Sequence, residues 1–138
     1  MYLFHNPNPK KTCIDDNVIR AISILTNQSW HYTYMELVVQ GYDSQNMPSA
    51  TEVWEAYLKT EGYEKHFLKC HSVKDFCKEH PKGRYLVATS NYVIPVINGS
   101  YHDVWDCGDE VPIYYFTKEV SHESLSSSKS VPSIPIYD

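Results

Sequence analysis

A chain of 138 residues with 42% hydrophobic and 14% aromatic residues is sized for one domain, and its twelve tyrosines help supply a core, which excludes wholesale disorder. Twelve Lys and Arg against seventeen Asp and Glu leave a formal charge of -5, so the basic excess that nucleic-acid phosphates reward is missing and a nucleic-acid partner is not expected. The longest apolar runs, such as Tyr92 to Ile97, fall far short of the roughly 20 residues that cross a bilayer, and Met1 to Lys11 hold no apolar signal core. A soluble protein of the cytoplasm without a membrane partner is therefore expected, and its four irregularly spaced cysteines (Cys13, Cys70, Cys77 and Cys107) read as free thiols.

The prolines of Asn6-Pro7-Asn8-Pro9 hold the entry to the domain extended. Asp15-Asp16-Asn17 then precedes Val18, Ile19, Ala21, Ile22 and Leu25, an apolar set at helical spacing that predicts a first helix to about Thr26, with Asn17 a good N-cap. Ser29 caps a second helix from Trp30 to about Gln40, ended by Gly41, with Trp30, Tyr34, Leu37 and Val38 on its buried face. Met47-Pro48-Ser49 opens a third, in which Ser49 and Glu52 form a capping box ahead of Val53, Trp54, Tyr57 and Leu58, and Gly62 closes it. A short strand over Tyr63 to Leu68 follows. Ser72 and Asp75 cap a short helix that carries Val73, Phe76 and Cys77 and is stopped by Pro81.

From Gly83 the period changes. Arg84 to Thr89, Tyr92 to Ile97, Tyr101 to Trp105 and Val111 to Thr117 are rich in β-branched and aromatic residues, and Asn98-Gly99 is a strong hairpin signal. Helices first and an antiparallel meander afterwards predict an α+β fold, with the N-terminal helices on one side of a C-terminal antiparallel sheet. The domain is expected over 1-119 and a Ser/Pro-rich tail over 120-138, too poor in apolar area to offset its ordering entropy. Within that tail Val131 to Tyr137 is apolar enough to dock as an extended segment.

A thiol at a helix N-terminus, a histidine on a neighbouring strand and a carboxylate on the next form an arrangement that activates a cysteine. The predicted scaffold has that shape around Asn17, Tyr92 and Asp103. Asp16-Asn17-Val18-Ile19-Arg20-Ala21, Ser29-Trp30, Met47-Pro48-Ser49, His80-Pro81-Lys82-Gly83 and Tyr101-His102-Asp103-Val104-Trp105-Asp106 together resemble a family of small phage and prophage proteins with a papain-like (C39-like) cysteine peptidase fold. The likeness runs over about residues 6 to 119. In that family the first motif carries Cys where Asn17 stands, and the strand after Gly83 ends in a Gly-His pair where this chain has Asn91-Tyr92. A carboxamide has no ionisable nucleophile, and a phenol with a pKa near 10 is a poor base at neutral pH. The resemblance thus implies a retained papain-like fold without a catalytic residue, since only Asp103 survives of the triad. It further implies a domain that acts by binding a host or phage protein, for instance as an anti-CRISPR-like inhibitor of a host defence nuclease. An active peptidase or amidase with a displaced nucleophile, Cys13 being the nearest thiol, is the alternative.

Neither a cofactor nor a metal is implied: Cys70, His71, Cys77 and His80 have zinc-ligand chemistry, but their spacing is no known structural pattern, and Cys77 reads as a small buried hydrophobe. His102 alternates with Asp103 and is expected to point away from it. The candidate binding residues are Asn17, Tyr92, Asp103 and Trp105. Tyr92 should either plug the old groove against Trp105 or stand at its mouth as an anchor, and its place in a Tyr92-Val93-Ile94 strand favours the plug.

Overall fold

A computed structural model describes residues 1–12 and 14–118. In chain order the elements are β1 (Tyr2–Phe4), α1 (Asn17–Thr26), α2 (Trp30–Ser44), α3 (Thr51–Thr60), β2 (Glu64–Phe67), α4 (Val73–Glu79), β3 (Arg84–Ala88), β4 (Val93–Ile97), β5 (Ser100–Asp103) and β6 (Tyr114–Thr117). The six strands form one sheet in the order β1-β5-β4-β3-β6-β2. The α+β class holds, in a three-layered form.

Side-chain alternation along the strands sorts the core into two parts. Leu86, Ala88, Val93 and Phe116 face Ala21, Ile22, Leu25, Leu37, Trp54 and Leu58 of α1 to α3. Val87, Ile94, Val96 and Tyr101, which alternate with them, pack against Val73, Phe76 and Cys77 of α4. The expectation of helices on one side is therefore corrected: α4 covers the opposite face. The sheet is also mixed, because Tyr2, Leu3 and Phe4 pair in parallel with Tyr101, His102 and Asp103, where the sequence suggested only an extended entry.

Local chemistry explains most element ends. The Asn98-Gly99 hairpin forms with φ of 49° and 81°, the left-handed pair that a tight β4–β5 turn requires. Ser72 Oγ accepts from Asp75 N at 3.1 Å and starts α4 as expected. Ser49 forms no capping box; α3 begins at Thr51 behind Ala50, without a side-chain cap. Gly41 does not end α2, which continues to Ser44 and closes on Gln45 in the left-handed conformation. A Cβ at Gly41 would come within 2.8 Å of the Asn46 carbonyl oxygen, so glycine is needed there for close backbone approach. Arg84 reaches from β3 to the C-terminus of α1, donating through Nε to Leu25 O at 2.8 Å and through Nη2 to Ile24 O at 2.6 Å. It supplies the cation that the last turn of α1 lacks.

A histidine pair holds the β1 edge. His5 Nδ1 and His102 Nδ1 lie 3.0 Å apart, and His5 N donates to Asp103 O at 3.0 Å. Burial lowers the pKa of both below 6.5, aided by Lys11 at His5 and by His5 and Arg84 at His102. The neutral forms are thus favoured in the fold. Their contribution is fully present above about 6.5 and is lost as pH falls through the lower folded values. The urea midpoint should therefore hold from pH 7.5 to about 6.5 and fall as the pH is lowered below 6.5, and the His5→Gln/His102→Gln double variant should show a flatter dependence below that point.

Candidate functional site

The candidate site lies where the N-terminus of α1 meets the start of β4. Asp16 is the N-cap residue, not Asn17, and its side chain caps nothing. It turns inward instead, accepting from Arg20 Nε at 2.7 Å, Trp30 Nε1 at 2.9 Å and Asn8 Nδ2 at 3.1 Å. Burial alone would raise its pKa, but the hydrogen bonds from Arg20, Asn8 and Trp30 and the guanidinium charge outweigh burial and hold the carboxyl below its ordinary range.

Asn17 occupies the first helical position. Its Oδ1 accepts from Val93 N at 2.8 Å while its Nδ2 donates to Val93 O at 2.9 Å. The carboxamide thus acts as a short β-partner for the first residue of β4, spending both of its polar ends on one main-chain unit. A thiol could not reproduce that two-way clamp. Replacing Asn17 by Ala or Cys should cost about 1–3 kcal/mol, the range for leaving such groups unpaired, measurable as a lower urea midpoint.

Asp103 is buried and belongs to a different network. Its Oδ1 accepts from Arg20 Nη1 at 2.8 Å and from Val104 N at 2.7 Å. Its Oδ2 lies 3.7 Å from Cys107 Sγ. Arg20 therefore bridges two carboxylates, Asp16 and Asp103, and none of the buried side-chain nitrogens or oxygens of the described residues is left unpaired. Burial, then the Asp103 charge, push the Cys107 thiol far up; burial also raises Cys77. Both are held protonated, the opposite of an activated nucleophile. Cys13 lies outside the described residues, as do residues 119–138, and with them the end of the expected domain, the tail and its docking segment.

Tyr92 precedes β4 rather than lying in it. A tight turn sets it, in which Thr89 N donates to Tyr92 O at 2.8 Å and Thr89 Oγ1 accepts from Tyr92 N at 3.0 Å. With 36% of its surface exposed, Tyr92 is not the buried plug that strand membership implied. The β4–β5 register pairs Val96 with Tyr101; continued outward, it sets Tyr92 opposite Trp105. Their rings meet edge to face at 5.2 Å, and Trp105 is 40% exposed. Asn17 and Tyr92 also share a shallow depression of about 230 Å³ with Val18, Trp54 and Thr89. The candidate residues thus divide in two: Tyr92 and Trp105 form an exposed aromatic pair beside the Asn17 clamp, and Asp103 is engaged beneath by Arg20. Sequence reasoning missed the network role of Asp16 and Arg20, although their i, i+4 spacing on a helix was its signal.

Larger hollows lie elsewhere. One of about 570 Å³ is lined by His66, His80, Tyr85 and Tyr115, and another of about 690 Å³ by Tyr42, Asp43 and Met47 at the end of α2. Neither contains any of the sequence-predicted site residues. His80 stacks on Phe76 at 4.0 Å and Cys70 Sγ donates to Ser72 O; among the described residues no group of three or more His, Cys, Asp or Glu is gathered as a metal site would require. Fold and site together define an α+β domain whose helix–strand junction is closed by hydrogen bonds. Compared with known proteins, the chain matches no family, no curated protein and no solved structure.

Proposed function

We propose that this chain is a catalytically inactive domain of the papain-like cysteine peptidase type, of phage origin, that works in the host cytoplasm by binding a host or phage protein. Inhibition of a host defence nuclease is one such role. The observation that carries the reading is the Asn17 clamp: the position the resemblance assigns to the nucleophile is filled by a carboxamide spent on the Val93 main chain. The position of the base is held by an exposed tyrosine, and the remaining carboxylate is neutralised by Arg20. Tyr92 and Trp105 are the residues suited to contact a protein, since an exposed aromatic pair supplies large contact area at low entropy cost.

The test begins with affinity capture from infected cells, followed by binding measurements on the purified partner. Tyr92→Ala should weaken binding by at least about 2 kcal/mol, roughly thirtyfold, while the melting temperature moves by no more than a few degrees. Unchanged partner affinity in both Tyr92→Ala and Trp105→Ala would remove this surface from the function.

A further inference from the structure

Helix α2 is apolar on the side that faces away from the domain. Its inner face is set by Thr33, Leu37 and Gly41, all buried. At 100° per residue, Met35, Val39 and Tyr42 all fall within about 40° of the direction opposite Leu37, and each is more than half exposed. They follow one another at intervals of 4 and 3, the spacing of a seam that packs against another helix. A helix that is apolar around both faces is ordinarily buried on both. Surface helices usually carry charge where this one carries the stripe.

The charges beside the stripe indicate what covers it. Helix α2 contains two carboxylates, Glu36 and Asp43, and no Lys or Arg; indeed the chain carries neither from Ala21 to Leu58. A second copy would bring the same carboxylates together with no cation to oppose them. A lipid surface would meet a helix flanked by acid, whereas interfacial helices are flanked by Lys and Arg. The hollow of about 690 Å³ at the C-terminal end of the stripe, lined by Tyr42, Asp43 and Met47, offers a place for one large apolar side chain. We propose that the outward face of α2 docks an amphipathic helix of a partner protein, one whose apolar stripe is flanked by Lys or Arg. This surface is separate from the role given to Tyr92 and Trp105 and does not depend on it.

Two synthetic helical peptides with the same leucine stripe, one flanked by Lys and the other by Glu, provide the probes, with fluorescence anisotropy against the full chain as the readout. The Lys-flanked peptide should bind at least tenfold more tightly than the Glu-flanked one, more weakly as salt is added. Val39→Lys should weaken its binding at least tenfold while leaving the melting temperature within a few degrees; Met35→Lys provides the same reading should Val39→Lys fail to fold. Equal binding of the two peptides, binding unchanged in the lysine variants, or no binding of the Lys-flanked peptide at millimolar concentration would overturn the proposal. So would a concentration-dependent dimer that Val39→Lys abolishes, since that result assigns the face to a second copy.

Discussion

Arg20→Ala is expected to destabilise the domain by about 3–5 kcal/mol, the cost of removing one partner from a buried ion pair and leaving charge uncompensated. Here the removal strands two carboxylates, Asp16 and Asp103, each within 2.8 Å of the guanidinium. A domain of this size is stabilised by only about 5–15 kcal/mol, so the change consumes a large part of the total. Arg20→Lys should recover little, because one ammonium cannot reproduce the two-sided contact through Nε and Nη1. The gap between wild type and variant should also narrow in acid, because protonating a stranded buried carboxylate relieves the variant, whereas in the wild type it breaks the Asp16–Arg20 pair. The Asp16 carboxyl lies below its ordinary value near 3.8, so its contribution is present above that value and is lost only as pH falls through the lower folded one. Urea unfolding at neutral and acidic pH measures both effects; a loss under 1 kcal/mol in Arg20→Ala would mean that the network is not closed as described.

Phe76→Ala should be similarly severe, about 3–5 kcal/mol, as for large aromatic truncations in cores. Its ring is fully buried, stacks on His80 at 4.0 Å and meets Tyr115 and Tyr85 at 5.2 and 5.4 Å. Because α4 is only seven residues long, its own hydrogen bonds cannot hold it in place, and the Phe76 contacts attach it to the sheet. Hydrogen exchange should report faster exchange in α4 and β5 of this variant, with α1 and α3 affected less. Uniform acceleration across all helices would show that the two core layers unfold as one unit.

How much of this was legible in the sequence depended on whether a feature is local. The Asn98-Gly99 turn, the Ser72 cap and the apolar period of α1 depend on neighbouring residues and are found where the sequence predicts them. Helix α2 runs past Gly41, which usually signals a helix end, because here the glycine admits the Asn46 carbonyl, a contact that no local pattern encodes. The parallel strand β1 has three residues, too few to show alternation, and pairs with a segment about a hundred positions later. The second helical layer did leave a trace. Val93 to Val96 are buried without interruption, and a strand apolar at every position reads as covered on both faces.

The site was legible in its residues and much less so in their roles. Asn17 and Tyr92 do meet at one depression, yet the carboxamide that looked like a helix cap is a clamp on Val93. The boundary of β4 fell one residue later than expected, because the Thr89 turn holds Tyr92 outside the strand and leaves it exposed. Asp16 and Arg20 lay inside the motif that carried the resemblance, where their helical spacing pointed to an ion pair; only the fold brings in Asp103, whose position differs from that of Arg20 by 83.

The proposed inactive domain predicts that no thiol is activated, and a pH titration of thiol labelling in the native protein tests that prediction most directly. Iodoacetamide should modify none of Cys13, Cys70, Cys77 or Cys107 with an apparent pKa below about 7, with Cys77 and Cys107 reacting slowest because burial disfavours their thiolates. A single cysteine that labels with a pKa below 7, and whose change to Ser abolishes a measurable hydrolase activity, would contradict the inactive-domain account.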